Sequence, residues 1–395
     1  MSVTFPRGFK AAGMTAGLKP SGRPDLALLA AERECSAAGL FTTNSYPAAP
    51  VELSRARLQS GKARAVLVNS GDANAGRGEE GKRDAESTTK AAAAALGVPE
   101  GEVLACSTGV IGGSFDAAKI GASSGVLVDA LSPDGGAAFA GAICTTDTVI
   151  KQAQSDAGAY LVGACAKGAA MVEPDLELAT MLVFFTTDAP IEPPALRELA
   201  AASLKPAFEQ LTIDGCTSTN DTVLVLASGA AGGDLVAQDS ADFRELAAVM
   251  RDMADSLAYQ LAADAEGGTK VLIVDVTGAE GGDEAQKIAK AIANSILVKC
   301  AVFGADPNPG RLLQAVGASG ASFDPSSVTI RLGDVVVSDG GVVPRDYDEG
   351  GVAHRVMKED EIDVSVEVGN GPGRARAVGC DLSYDYVKIN AEYTT

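Results

Sequence analysis

The feature that most constrains the fold is a series of short apolar segments that recur along the whole 395-residue chain. Several are apolar at every position, which is typical of strands buried between two layers rather than of strands with one wet face. These predicted strands cover residues 65–68, 103–105, 181–185, 222–227 and 271–276. A core built around a sheet follows from this pattern.

Stretches of helical length lie between the apolar segments, at residues 84–96, 195–208, 243–261 and 283–294. Apolar residues recur at helical spacing in the third of these, and Pro206 interrupts the second. Strands that alternate with helices predict an α/β fold built in layers.

The C-terminal part has a different pattern, because residues 362–368 alternate between apolar and polar side chains. Strict alternation is typical of a strand with one solvated face. The glycine-rich segment GAEGG at residues 278–282 is the best candidate for a boundary between a large first part and a smaller second part.

Charge and cysteine content limit the partners and the compartment. The chain has 32 basic and 52 acidic residues, and a net charge of −20 disfavours nucleic acid and anionic membranes as partners. Its seven cysteines include no CxxC pair, and no run of about 18 apolar residues occurs. We therefore expect a cytoplasmic protein with reduced thiols, no membrane partner and no nucleic-acid partner.

A single histidine, His354, limits the chemistry further. One histidine is too few for a zinc site with several histidine ligands. A histidine-based catalytic triad is disfavoured as well, because His354 lies in the charged stretch GGVAHRVMKEDE. If the protein catalyses acyl transfer, its base must be a lysine, a carboxylate or a terminal amine.

The segment that leads into the apolar strand 181–185 offers such a base. If the bond between Ala179 and Thr180 is cut, Thr180 gains a free α-amine with a pKa of about 7.7 to 8.0, close enough to accept the proton of its own hydroxyl. Attack of that hydroxyl on the Ala179 carbonyl would make the cut autocatalytic. Taken alone, the same Ala-Thr pair is more typical of a polar residue where a strand enters the core.

Ten segments in a fixed order give the chain a resemblance to a known family. They include NSGDANAGRG (69–78), STGVIG (107–112), TTDT (145–148), AKG followed by ATML, TIDGCTSTNDTVLVLASG (212–229), DAEGGTK (264–270) and DLSYDYVKINAEYTT (381–395). In these segments the chain resembles the self-cleaving glutamate N-acetyltransferase/ornithine acetyltransferase family of arginine biosynthesis. The resemblance implies an α-β-β-α layered sandwich with a smaller C-terminal α/β part.

The resemblance also implies roles for individual residues. Cleavage between Ala179 and Thr180 would give an α chain of residues 1–179 and a β chain of residues 180–395 with Thr180 as nucleophile. Thr108 and Gly109 would form the oxyanion hole. The implied substrate-binding residues are Thr145, Lys167, Thr180, Glu266, Asn390 and Thr395. No metal and no cofactor are expected.

The implied reaction is ping-pong transfer of acetyl from N-acetylornithine to glutamate, with acetyl-CoA as a further candidate donor. The implied assembly is a dimer of cut α/β protomers. Two alternatives stay open at this point. One is an aminopeptidase or amidase on the same self-cutting scaffold, and the other is an uncut amino-acid-binding protein without catalytic activity.

Overall fold

The computed structural model describes residues 2–173, 181–347 and 350–392. The chain divides into two compact units. The first holds the residues up to Phe208 together with Thr217–Leu257, and the second holds Glu209–Cys216 and the residues from Ala258 onward. Across the described ranges, no helix combines the length and apolar composition needed to cross a membrane.

The strands of the first unit are β1 Phe9–Met14, β2 Leu26–Phe41, β3 Lys62–Asp72, β4 Val103–Val110, β5 Lys151–Ala157, β6 Tyr160–Lys167, β7 Leu182–Thr187 and β8 Thr222–Ala227. The helices of this part of the chain are α1 Ala49–Arg57, α2 Gly78–Leu96, α3 Ala117–Asp129, α4 Gly136–Ile143, α5 Pro193–Glu209 and α6 Ala241–Ala263. The last residue of α5 and the end of α6, from Ala258, are assigned to the second unit.

Within the described residues, the strands of the first unit form one eight-stranded sheet in the order β4-β3-β2-β8-β7-β6-β5, with β1 also paired to β2. Strand β7 is parallel to β8 and antiparallel to β6. Both β7 and β8 are buried along their whole length, as their continuous apolar sequences predict.

The two faces of β3 show how this sheet is layered. Ala65 and Leu67 pack in a core with residues of α2 and α3. The alternate residues, Val66 and Val68, face a second core that includes α4 and strands β6 to β8. Phe139 of α4 meets Phe184 of β7 edge to face, with ring centroids 5.1 Å apart. The predicted layered α/β fold is confirmed.

The second unit has its own sheet and helices. Its strands are β9 Val271–Ala279, β10 Thr329–Leu332, β11 Val335–Ser338, β12 Glu361–Glu367 and β13 Gly373–Cys380, and its helices are α7 Gly282–Asn294, α8 Ile296–Phe303, α9 Pro309–Gly317, α10 Val352–Val356 and α11 Tyr384–Glu392. The strand order is β11-β10-β12-β9-β13. Along β12, exposed and buried residues alternate, as predicted.

Two sequence-based expectations differ from this fold. The predicted boundary at 278–282 is wrong, because these residues join β9 to α7 inside the second unit. Gly278 has a φ of +81°, and a Cβ placed there would lie 2.1 Å from the carbonyl oxygen of Gly369, so this glycine serves a close backbone approach. Pro206 does not interrupt α5, because the helix continues past it to Glu209, although the proline supplies no backbone N–H.

Candidate active site

Thr108 and Gly109 lie near the end of β4, side by side with Ser70 and Gly71 of the parallel strand β3. Gly109 has a φ of +130°, and a Cβ built on it would lie 2.4 Å from the carbonyl carbon of Gly71. Any other residue at this position would therefore meet both backbone strain and a clash. The glycine lets the two backbones approach, and the adjacent Thr108 is buried.

Lys167 is the last residue of β6, and its side chain is buried. Its Nζ donates a hydrogen bond to Thr108 Oγ1 over 3.1 Å, although 58 residues separate the two in the chain. A lysine ammonium is only a donor, so the threonine oxygen accepts and its hydroxyl proton is left for another acceptor. Two of the predicted site residues are thus in direct contact.

A buried carboxylate, Asp147, lies beside this pair. Asp147 Oδ1 accepts hydrogen bonds from Lys151 Nζ (2.7 Å) and from the backbone N–H of Gly168 (2.8 Å), and Oδ2 accepts from the N–H of Thr145 (3.0 Å). Burial alone would raise the pKa of Asp147, but the positive charges of Lys167 and Lys151 and these hydrogen bonds lower it to about 2. Asp147 is therefore ionised at neutral pH.

Two further cations hold the loop that contains Thr145. Arg23 Nη1 donates to the Thr145 carbonyl oxygen (3.4 Å), and Lys19 Nζ donates to the carbonyl oxygen of Cys144. Partial burial, reinforced by the charge of Arg23, lowers the pKa of Lys19 to about 8. A chain with a net charge of −20 thus gathers several cations around this loop, an arrangement suited to a ligand with a carboxylate.

The start of β7 lies at the same end of the sheet. Lys167 is opposite Leu182 in the antiparallel pairing of β6 and β7. The backbone N–H of Thr222 donates to the carbonyl oxygen of Met181, the residue before β7 (3.2 Å). Asn220, two residues earlier, donates from Nδ2 to the carbonyl oxygens of Ala73 (2.6 Å) and Ser107 (2.9 Å). The strand that follows Thr180 is therefore fixed next to Lys167.

In the second unit, two predicted residues are also in contact. Asn390 of α11 donates from Nδ2 to Glu266 Oε2 (3.1 Å), and Glu266 is buried in the loop before β9. One turn earlier on α11, Tyr386 donates its hydroxyl to Asp214 Oδ2 (3.2 Å). Burial and the neighbouring Asp214 carboxylate raise the pKa of Tyr386, so the phenol keeps its proton.

The structure thus places six of the nine predicted site residues. Thr108, Gly109, Thr145 and Lys167 belong to the first unit, whereas Glu266 and Asn390 belong to the second. The expectations for Ala179, Thr180 and Thr395 lie outside the described residues.

Four residues that the sequence reasoning missed join the first group: Lys19, Asp147, Lys151 and Asn220. Two of them lie inside segments that carried the family resemblance, Asp147 in TTDT and Asn220 in TSTND. Their place inside these segments was the available signal for these two.

A protein-family model described as the ArgJ family matches residues 10–395. The chain belongs to the ArgJ family. Arginine biosynthesis bifunctional protein ArgJ from Symbiobacterium thermophilum is 45% identical over 100% of this chain and 98% of that protein. The protein of the same name from Synechocystis is 41% identical over the same shares of the two chains.

Among solved structures, a crystal structure of the Bacillus halodurans ArgJ protein matches with a TM-score of 0.50 and 37% identity. The match covers 54% of this chain and 98% of that chain. Membership of the ArgJ family confirms the predicted enzyme class, an acetyltransferase of arginine biosynthesis.

Proposed function

We propose that this ArgJ family member transfers acetyl from N-acetylornithine to glutamate through an acetyl ester on Thr180. The hydrogen bond from Lys167 to Thr108 carries the proposal, because Lys167 is paired with Leu182 at the start of β7, and Thr180 precedes Leu182 by two residues in the sequence. In this proposal the buried Thr108 hydroxyl and the Gly109 backbone N–H serve as the oxyanion donors.

Autocatalytic cleavage between Ala179 and Thr180 supplies the base in this proposal. Thr180 Oγ attacks the Ala179 carbonyl, and the peptide C–N bond breaks to give an ester on Oγ and a free Thr180 α-amine. Water then hydrolyses the ester, which releases the Ala179 carboxylate and restores the Thr180 hydroxyl.

The transfer itself then proceeds in two balanced half-reactions. Thr180 Oγ attacks the acetyl carbonyl of N-acetylornithine while its proton moves to the Thr180 α-amine. The C–N bond breaks, ornithine leaves with that proton, and acetyl remains on Oγ. The glutamate amine next attacks the ester and passes a proton through the same α-amine to Oγ as the C–O bond breaks. Thr108 and Gly109 stabilise the negative charge on the carbonyl oxygen in both halves.

Substrate recognition rests on charge in this proposal. Both substrates carry carboxylates, which suit the cations around Thr145, and N-acetylornithine adds a side-chain ammonium, which suits a buried carboxylate such as Glu266. Acetyl-CoA as a second donor stays a prediction. The roles of Glu266, Asn390 and Thr395 as ligands, the dimer of cut protomers and the cytoplasmic location stay predictions.

Intact-mass measurement of the purified protein tests the cleavage. Wild type should give two fragments that divide between residues 179 and 180. Thr180→Ala should stay uncut and inactive, and Thr180→Ser should be cut in part, because only a hydroxyl can attack. Thr329→Ala, which alters a threonine in the second unit, should be cut like wild type. A single full-length mass from active wild-type protein would contradict the mechanism.

A transfer assay separates the proposal from its alternatives. Incubation with N-acetylornithine and glutamate should produce N-acetylglutamate and ornithine in equal amounts. Release of acetate at the same rate without glutamate would instead favour an amidase, and binding without any turnover would favour a non-catalytic protein. Acetyl-CoA offered as the sole donor then tests the second activity.

A further inference from the structure

Two buried lysines of the first unit face one buried carboxylate, yet only one of them makes a salt bridge with it. Lys151 and Asp147 form an ion pair of 2.7 Å in which both side chains are completely buried. Lys167 directs its Nζ to Thr108 instead. The N–H of Gly168, the residue after Lys167, donates to Asp147 Oδ1 over 2.8 Å, so Asp147 lies beside the backbone that carries Lys167, and the charge of Lys167 lowers the pKa of Asp147.

The contacts of Asp147 come from three separate points of the chain. Its carboxylate accepts from Lys151 at the start of β5, from the N–H of Gly168 directly after Lys167, and from the N–H of Thr145. A buried carboxylate is tolerated only when charge and hydrogen bonds compensate its desolvation. These three donors provide that compensation and tie the backbone next to Lys167 to the backbone at Thr145.

Because the two lysines have different partners, the Thr108 hydroxyl is affected. Because Lys151 occupies Asp147, Lys167 stays available to donate to Thr108 Oγ1. That donation fills an acceptor position of the hydroxyl and leaves its proton directed elsewhere. In an acyl transfer, the useful direction is toward the developing oxyanion.

We propose that Asp147 and Lys151 together form a positioning pair for acetyl transfer, acting on the Thr108 hydroxyl through Lys167. Asp147 compensates the charge of Lys167 and fixes the backbone beside it, while Lys151 prevents Asp147 from capturing Lys167. This inference rests on the proposed function, because it assigns the pair to the oxyanion hole of that reaction.

A double-mutant cycle tests the pair, with kcat and KM measured separately for wild type, Asp147→Asn, Lys151→Met and the double variant. Asp147→Asn should lower kcat about 10- to 100-fold, the scale of a small misplacement at a reacting centre, with KM changed less than about threefold. Lys151→Met should lower kcat as well, because the unpaired carboxylate would attract Lys167 away from Thr108. The kcat of the double variant should be higher than the value expected if the two single losses in kcat multiplied.

An exposed ion pair provides the control. Lys62 and Glu34 make a contact of 2.5 Å at the surface, and Lys62→Met with Glu34→Gln should leave kcat unchanged, singly and together. Thermal melting of each variant shows whether it is folded. If Asp147→Asn is unfolded, Lys151→Met decides the question alone.

Failure of this inference can be told apart from failure of the proposed function. Wild-type protein that transfers no acetyl would overturn the proposed function itself. If wild type transfers acetyl and folded Asp147→Asn or Lys151→Met has the wild-type kcat, the positioning pair is refuted while the proposed function stands. Losses that multiply independently in the double variant, or that appear in KM and kcat alike, would show a merely structural ion pair.

Discussion

The contact between Thr108 and Lys167 and the contact between Glu266 and Asn390 have similar lengths but different supports. Both residues of the first pair belong to strands of one sheet, and a buried carboxylate holds the backbone next to Lys167. In the second pair, a loop carboxylate meets the amide of a residue on the final described helix, α11, which has no buried residue. We therefore expect the first pair to be rigid and the second to be adjustable.

This difference suggests that one pair stabilises the transition state and the other selects the substrate. Donors that stabilise a transition state are most effective when they are preorganised, because reorganisation during the reaction would cost free energy. Groups that select a substrate tolerate movement, since a ligand can draw them into place. We therefore expect changes at the first pair to lower kcat and changes at the second to raise KM.

The largest effect is expected for Thr108→Ala, which tests the rigid pair directly. Loss of one oxyanion donor should lower kcat about 100- to 1,000-fold with little change in KM. Autocleavage should slow too, if the Ala179 carbonyl uses the same donor. Thr89→Ala, which removes another buried threonine hydroxyl, one bonded within its own helix, is the matched control. A folded, fully cut Thr108→Ala enzyme with near wild-type kcat would remove the distinction between the two regions.

Low pH should destabilise the folded protein by protonating Asp147, the carboxylate that supports the pair of Thr108 and Lys167. The pKa of Asp147 is about 2 in the folded protein against an ordinary value of 3.8, so its contribution to stability is complete above about pH 4 and is lost as the pH falls through 2. The pKa difference corresponds to about 2 kcal/mol of unfolding free energy. Urea unfolding of uncut Thr180→Ala protein, with and without Asp147→Asn, should show this extra loss only when Asp147 is present. Equal acid sensitivity of both proteins would contradict it.

A smaller effect, confined to one substrate, is expected at the adjustable pair. Glu266→Gln removes the charge that would hold the ornithine ammonium, so KM for N-acetylornithine should rise about tenfold, equivalent to about 1.4 kcal/mol. KM for glutamate and kcat should change little. Glu359→Gln at an exposed position of the same unit serves as control. A large fall in kcat with unchanged KM would place Glu266 in the chemistry and break the comparison.

The smallest effect is expected for Tyr386→Phe, which removes the hydrogen bond from α11 to Asp214. The net contribution of such a hydrogen bond to the free energy of unfolding is about 1 kcal/mol. We expect a slightly lower melting temperature and a change of a few-fold in KM, with kcat retained. If the substitution abolishes activity, α11 is as rigid a support as the strands of the first unit.

Much of the fold was predictable because burial leaves a local record in the sequence. Strand β8 covers residues 222–227 as expected, since every position is apolar or a threonine at the entry. Helix α2 begins at Gly78, six residues before the predicted start, because its polar first turn lacks an apolar stripe. The role of Gly278 depends on Gly369, ninety-one residues away, so no local pattern could reveal that it lies in a strand where two backbones approach closely.

The candidate site was predictable only where the family resemblance reached. Thr108 and Lys167 were both named, yet their contact depends on strands β4 and β6, which are not neighbours in the sheet. The ion pair of Asp147 and Lys151 was missed because its four-residue spacing is typical of a solvated helix surface, whereas these residues are fully buried beside a strand. Burial of charge is a tertiary property that local spacing does not encode.

The strand order has a consequence for how the protein refolds before and after the proposed cut. Strands β7 and β8 follow the proposed cut, yet they lie between β2 and β6, which precede it, so neither fragment holds a complete sheet. Before the cut, folding is a reaction of one chain and is independent of concentration. After it, a denatured molecule would have to find its complement by diffusion, and recovery would become second order. Cleavage would thus convert a protein that refolds by itself into one whose activity, once lost, returns only at a rate set by the meeting of two chains.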